Sequence, residues 1–194
     1  MNVIEHRESE VFCVDGPRGI GKTFLYRVLI SKLRSIGQIV LAIATSGIAA
    51  TLLPGGQTAH SRFKIPLNPY SSSICSINKQ FDLVILITHL SAIVWDEAPM
   101  VNRYALEAVD RTLRDIICCN ASFGRKVVLP LIPKGNNVKM TATCIVKSPL
   151  WAYTHVIYLC QNMCSLQDHN FVEYLMRIGD GVEPTIRDDL VKIP

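Results

Sequence analysis

One short stretch of the chain has the residue types and spacing to hold phosphate. In VFCVDGPRGIGKTFLYRVL, residues 11–29, Gly16, Gly21, Lys22 and Thr23 match G-x-x-x-x-G-K-[ST] in full, between an apolar strand-like run and a helical pattern. In that setting successive backbone N–H groups turn into the loop and the following helix adds its positive dipole end. The Lys22 ammonium then reaches the β and γ phosphates, and the Thr23 hydroxyl holds Mg²⁺. Gly19 belongs to the same phosphate-binding set. Arg18, also inside the loop, either contacts phosphate or crowds it. The blander reading of the stretch is a glycine-rich turn with a solvated lysine.

A second group decides what is done with the phosphate. IVWDEAPM ends an apolar run in Asp96 and Glu97. The first carboxylate is placed to bind Mg²⁺ and the second to orient an attacking water. A nucleotide hydrolase needs that water, whereas a kinase does not. The alternative is a pair of solvated acids opening a helix, favoured by its dipole. A strand this apolar is expected to be buried to its end. Its carboxylates then emerge at the C-terminal edge of the sheet, where ligands of open α/β folds bind.

The elements that must position these groups alternate between strands and helices. EVFCVD, QIVLAIAT and SAIVWDE read as strands, and residues Arg103 to Ile117 as a helix. Lys22 to Ile36 also reads as a helix, with Leu25, Val28, Leu29, Leu33 and Ile36 on one face and Gly37 as its stop. SGIAATLL is a short helix before the turn PGG, while FDLVILITH fits either a buried helix or a strand. Residues 64–80, rich in proline, asparagine and serine, form a loop-rich excursion outside the core. Continuous apolar strands separated by helices predict a three-layer α/β domain with a mostly parallel central sheet.

Composition sets the outer bounds. The 194 residues are 49% hydrophobic and 19% charged, which excludes a disordered tail. No apolar run approaches the roughly 18 residues that span a membrane, and MNVIEHRESE resembles no signal or transit peptide. A soluble cytosolic or nuclear protein is expected. The seven cysteines include no C-x-x-C pair, and Cys160 and Cys164 have no partner pair, so neither zinc nor a disulfide framework is indicated. The net charge of +4 comes from scattered residues and permits a nucleic-acid partner without arguing for one.

FCVDGPRGIGKTFLY, ATSGIAATLLPGGQTAHSRFKIP, IVWDEAPM, LPLIPKG and NFVEYLMRIGDGVEP, in that order, resemble the first motor lobe of the Pif-type DNA helicases of superfamily one, in particular the plant branch related to Helitron transposons. The resemblance covers nearly the whole chain. It implies a single RecA-like lobe over residues 1–194 and ATP and Mg²⁺ as cofactors. It also implies single-stranded or forked duplex DNA as partner, 5′ to 3′ unwinding, nuclear location, and roles in repair, recombination and telomere maintenance. By the same resemblance TSGIAA and GGQTAHSRF face the DNA strand. Thr45, Ser46, Thr58, His60 and Ser61 offer it hydroxyl and imidazole donors. Phe63 either stacks on a base or belongs to the core.

The sequence also departs from that family. A Gly-Asp-x-x-Gln segment, whose glutamine senses the γ-phosphate, is expected after GRKVV, yet FGRKVV runs directly into LPLIPKG. LCQNMC carries Cys164 where the resemblance expects an arginine that reaches the transferring phosphate. Loss of such an arginine is worth about 10³ to 10⁵ in rate. The resemblance also expects a glutamine that reads adenine upstream of the P-loop, where MNVIEHRESE has none, and a second lobe beyond RIGDGVEP. Three functions therefore compete: an ATP-dependent DNA helicase lobe, a catalytically impaired ATP-binding module or transposon remnant, and a small-molecule P-loop kinase. Asp96, Glu97 and TSGIAA argue against the kinase.

Overall fold

A computed structural model describes residues 11–16, 20–77, 82–98, 101–133, 147–159, 185–187 and 190–191. Its centre is a six-stranded sheet built from β1 (Val11–Gly16), β2 (Val40–Ala44), β3 (Gln57–Thr58), β4 (Ala92–Asp96), β5 (Val127–Pro133) and β6 (Thr154–Tyr158). The strands lie in the order β3-β2-β4-β5-β1-β6, and every pairing among them is parallel. Residues Thr185–Arg187 (β7) and Leu190–Val191 (β8) form a separate antiparallel pair.

Alternation along the central strands explains why the sheet is covered on both faces. Val40, Ala42, Ala92 and Val94 pack on one side with Tyr26, Ile30 and Leu33 of helix α1 (Lys22–Ser35). Leu41, Ile43, Ile93 and Trp95 pack on the other with Ala105, Leu106, Val109 and Leu113 of the helix over Arg103–Ile117. Successive strand side chains point to opposite faces, so two helical layers are needed to bury both sets. This is the three-layer α/β architecture expected from the sequence.

The remaining helices are α2 (Gly47–Thr51), α3 (Ala59–Phe63), α4 (Asp82–His89) and α5 (Arg103–Ile117), so FDLVILITH is helical. Two expectations need correction. The buried face of α1 is set by Tyr26, Ile30 and Leu33, with Leu25 and Leu29 partly buried, while Val28 and Ile36 are exposed. Tyr26 carries most of that face, and a list of aliphatic residues alone misses it. The excursion after Phe63 has no regular secondary structure over residues 64–77, yet Ile65 and Cys75 join the core. Side chains of α5 pin it down: Thr112 accepts from the Cys75 backbone N–H at 2.9 Å, and Arg111 donates to the Ser73 carbonyl at 2.7 Å. Burial pushes the Cys75 thiol up to about 11.

Buried Asp110 of α5 fixes the turn that leads into β5. Its carboxylate accepts from the Phe123 backbone N–H at 2.6 Å and from Arg114 at 3.0 Å. Among the described residues no helix is long and apolar enough to cross a membrane.

Candidate nucleotide and nucleic-acid site

The carboxyl ends of β1, β4 and β2 come to the same edge of the sheet, and the residues singled out above sit there. At β1, Gly16 is closely surrounded: a Cβ on it would meet the Leu159 carbonyl oxygen at 2.7 Å. Only glycine fits where the chain turns off the strand beside β6. Gly21, at φ 79°, opens α1, and among the described residues no side chain caps that helix. Its first-turn N–H groups are the kind of orphan donors that a phosphate satisfies. No acidic residue stands in that turn to oppose an anion. The Lys22 ammonium donates to the Gly16 carbonyl at 2.6 Å, which draws it over the loop. Thr23 follows in the same helical turn. Gly19 and Arg18 lie outside the described residues.

Across β5 from β1, strand β4 delivers the acid pair. Asp96 is its last residue and is buried, at 5% exposure. Burial raises its pKa first and the neighbouring Glu97 second, while the Glu97 backbone N–H and Lys22 act in the opposite direction. Asp96 therefore feels the P-loop lysine. Glu97 has turned out of the strand into a left-handed backbone conformation, at φ 58°. For a residue with a side chain this costs about 1–2 kcal/mol. Such a conformation persists only when neighbours hold it.

The neighbours that hold it come from the end of β2. The Thr45 hydroxyl donates to the Glu97 carbonyl at 2.8 Å, the Thr45 N–H donates to the Asp96 carbonyl at 3.1 Å, and the Ser46 hydroxyl donates to the Glu97 carboxylate at 2.9 Å. Sequence reasoning placed Thr45, Ser46 and Glu97 in separate functions and missed that they touch. The signal lay in the strand ends: β2 and β4 are in register from Val40 and Ala92 to Ala44 and Asp96, so the residues just beyond must be neighbours.

The other strand-facing segment reaches the same edge. Thr58 pairs with Ala44 in the β3–β2 register and caps α3 by accepting from the Ser61 N–H at 3.3 Å. His60 is partly exposed in α3 and Ser61 is exposed. Phe63 resolves to its core alternative. It is fully buried among residues such as Ile43, Ile65 and Trp95, because the apolar side of so short a helix has nowhere to go but onto the sheet. It presents no ring to a base. Cys160 and Cys164 lie outside the described residues.

The missing Gly-Asp-x-x-Gln segment bears on β5. The strand runs unbroken from Val127 to Pro133, through the Val128–Leu129 junction where Gly-Asp-x-x-Gln is expected. The residues after that junction occupy strand positions.

A parallel sheet with the G-x-x-x-x-G-K-[ST] motif after one strand and an acid pair after another, two strands away, is the architecture of a RecA-like lobe. The PIF1-like helicase family model matches residues 1–189, and the chain belongs to that family. ATP-dependent DNA helicase PIF4 of Trypanosoma brucei brucei is 28% identical over 105 residues, which is 52% of this chain and 13% of that protein. Bacteroides Pif1 in complex with ADP-AlF₃ and single-stranded DNA superposes with a TM-score of 0.76 at 26% identity, covering 95% of this chain and 45% of that one. Pif1 from Candida albicans, at 22% identity and a TM-score of 0.70, shares the fold over 95% of this chain and 45% of its own. The chain thus spans less than half the length of these relatives.

Proposed function

We propose that this chain is the ATP-binding lobe of an ATP-dependent DNA helicase, a single RecA-like unit over residues 1–194. The reading rests on one observation above all: Lys22, Asp96 and Glu97 converge at one sheet edge, with Lys22 close enough to act on the Asp96 carboxyl. The P-loop backbone from Gly16 through Gly19 to Gly21, with Lys22, cradles the β and γ phosphates of ATP. Thr23 and Asp96 would hold Mg²⁺, a hard cation that takes oxygen ligands such as their hydroxyl and carboxylate. When bound, the metal neutralises charge on the transferring phosphate. Glu97 orients the water. Thr45, Ser46, Thr58 and His60 offer hydrogen bonds to single-stranded or forked duplex DNA. The nucleotide and the strand seen in the Bacteroides neighbour support both assignments. Unwinding in the 5′ to 3′ direction, nuclear location and service in repair, recombination and telomere maintenance are supported by the family.

A second reading, an ATP-binding module with impaired hydrolysis, is favoured by the unbroken β5, whose residues Val127–Pro133 include no glutamine to sense a γ-phosphate. Both readings require ATP binding. Isothermal titration of ATP with Mg²⁺ tests it: Lys22→Ala is expected to weaken binding by at least about tenfold, the value of one charge-assisted hydrogen bond. Equal affinity in the two proteins overturns the assignment.

A further inference from the structure

Ser46 does more than face a strand. We propose that its hydroxyl is a latch on Glu97, holding the carboxylate toward β2 until a phosphate of single-stranded DNA takes the same donor and frees Glu97 to orient water. The proposal deepens the reading above, since it rests on Glu97 as the water-orienting group and on Ser46 as part of the strand-facing segment.

Four observations carry it. The Ser46 Oγ donates to Glu97 Oε2 at 2.9 Å while accepting from the Ala49 N–H at 3.2 Å, so the hydroxyl is fixed in place by the cap of α2. A serine hydroxyl has one hydrogen to give. Donation to Glu97 and donation to a DNA phosphate therefore exclude each other. The direction of the pull follows from the sheet order: β2 lies on one side of β4, while β5 and then β1 lie on the other. The P-loop follows β1, two strand spacings or about 10 Å from β4. A Glu97 side chain bonded to the end of β2 is drawn away from the side where the phosphates bind. Ser46 is also partly exposed, so a strand can reach its hydroxyl.

The latch accounts for the left-handed backbone at Glu97 as well. With Thr45 gripping the Glu97 carbonyl and Ser46 its carboxylate, the residue is clamped at both ends to β2. A phosphate arriving at Ser46 removes one clamp and brings a negative charge toward Glu97, which pushes the carboxylate off. Nucleic acid at the end of β2 is thereby linked to the group that handles water, through one exchanged hydrogen bond.

Linkage is reciprocal for binding, so the latch is testable without measuring hydrolysis. The experiment follows the affinity of the 194-residue chain for a fluorescein-labelled oligothymidylate by anisotropy, at fixed salt and without nucleotide. Removing the competitor with Glu97→Ala is expected to tighten binding about fivefold, the low end of site-to-site couplings. In a Ser46→Ala background the same change is expected to have no effect. Ser46→Asn keeps both an N-cap oxygen and a donor for Glu97, and is expected to restore the fivefold response. That rescue separates the latch from loss of the helix cap. If Glu97→Ala acts equally with and without Ser46, simple charge removal explains it and the latch is wrong. If wild-type chain fails to bind the oligothymidylate at all, the strand-facing reading itself falls, and the latch with it.

Discussion

Strands β4 and β5 are neighbours in one sheet, yet only β4 is a strand at every level of description. All five residues of β4 are buried, its four apolar residues alternate between the two cores, and Ala92–Trp95 pair in register with both flanking strands. β5 begins the same way, with Val127 facing one core and Val128 the other. It then carries Pro130 and Pro133, although proline lacks the N–H that a central strand donates. The ladder shows the consequence: β1 pairs Val11 with Val128 and resumes only at Val14 with Leu131. The difference separates a strand whose burial, packing and pairing agree from one whose prolines interrupt its ladder. The strand that ends in the acid pair is consistent throughout. The strand expected to end in a γ-phosphate sensor is instead filled by Leu129–Pro133.

The largest effect that sharpens this contrast is expected on β4. Trp95 is fully buried in the core under α5, so Trp95→Ala removes a large side chain whose cavity the rigid sheet does not close. A loss of about 3–5 kcal/mol is expected, read as the shift of a urea denaturation midpoint. A loss near 1 kcal/mol would show that β4 is packed no better than its neighbour.

The same contrast governs what was legible in the sequence. The P-loop could be read because one backbone geometry demands glycine, lysine and threonine at fixed spacing. The strand before the acid pair could be read because its short apolar run stops at two carboxylates, whereas the similarly apolar FDLVILITH is helical and apolarity alone does not decide between the two. Helix α5 is found over the residues predicted, Arg103–Ile117, since its apolar stripe is one-sided. Other features depended on tertiary partners that spacing does not encode. The aliphatic pattern of α1 does not reveal Tyr26 as the centre of its buried face. Spacing alone allows Phe63 a base or the core, and the shortness of α3 puts it in the core. The burial of Cys75 depends on Thr112 and Arg111, more than thirty residues away in sequence. The bond between Ser46 and Glu97 joins two motifs whose meeting only the strand order reveals.

A smaller effect is expected at Pro130, where the comparison can be broken. Pro130 is buried in β5 opposite Trp95, between two strands that offer carbonyl acceptors. Pro130→Val gives the ladder a donor, worth about 1 kcal/mol net. The looser unfolded chain offsets part of that gain. Thermal unfolding is expected at a temperature higher by about 2–4 °C at most. A fall instead would mean that the proline ring packs better than a ladder bond would, and that β5 is adapted to its sequence and not merely patched.

The smallest stability effect expected lies at Asp96, and its sign distinguishes a ligand-binding strand end from a structural one. Burial, and then Glu97, hold its pKa above the ordinary value of 3.8. Below that value the carboxyl is protonated in both the folded and the unfolded chain, and no stability is lost. As pH rises past it the unfolded chain ionises first, so the folded state is progressively disfavoured until the raised folded value is passed, and the loss stays complete at neutral pH. Asp96→Asn keeps an acceptor for the Glu97 backbone N–H and carries no charge. Without metal or nucleotide, the variant is therefore expected to melt above wild type at pH 7, and the two curves are expected to meet as pH falls below the ordinary carboxylate value. Adding Mg²⁺ and ATP should reverse the order, because ligand binding stabilises the protein that holds the metal more tightly. Melting curves at several pH values, with and without Mg²⁺ and ATP, check both halves. If Asn lowers the melting temperature in the ligand-free protein at pH 7, the Asp96 carboxylate is held in place by the fold itself, and the end of β4 is a structural corner and not a site kept ready for a cation.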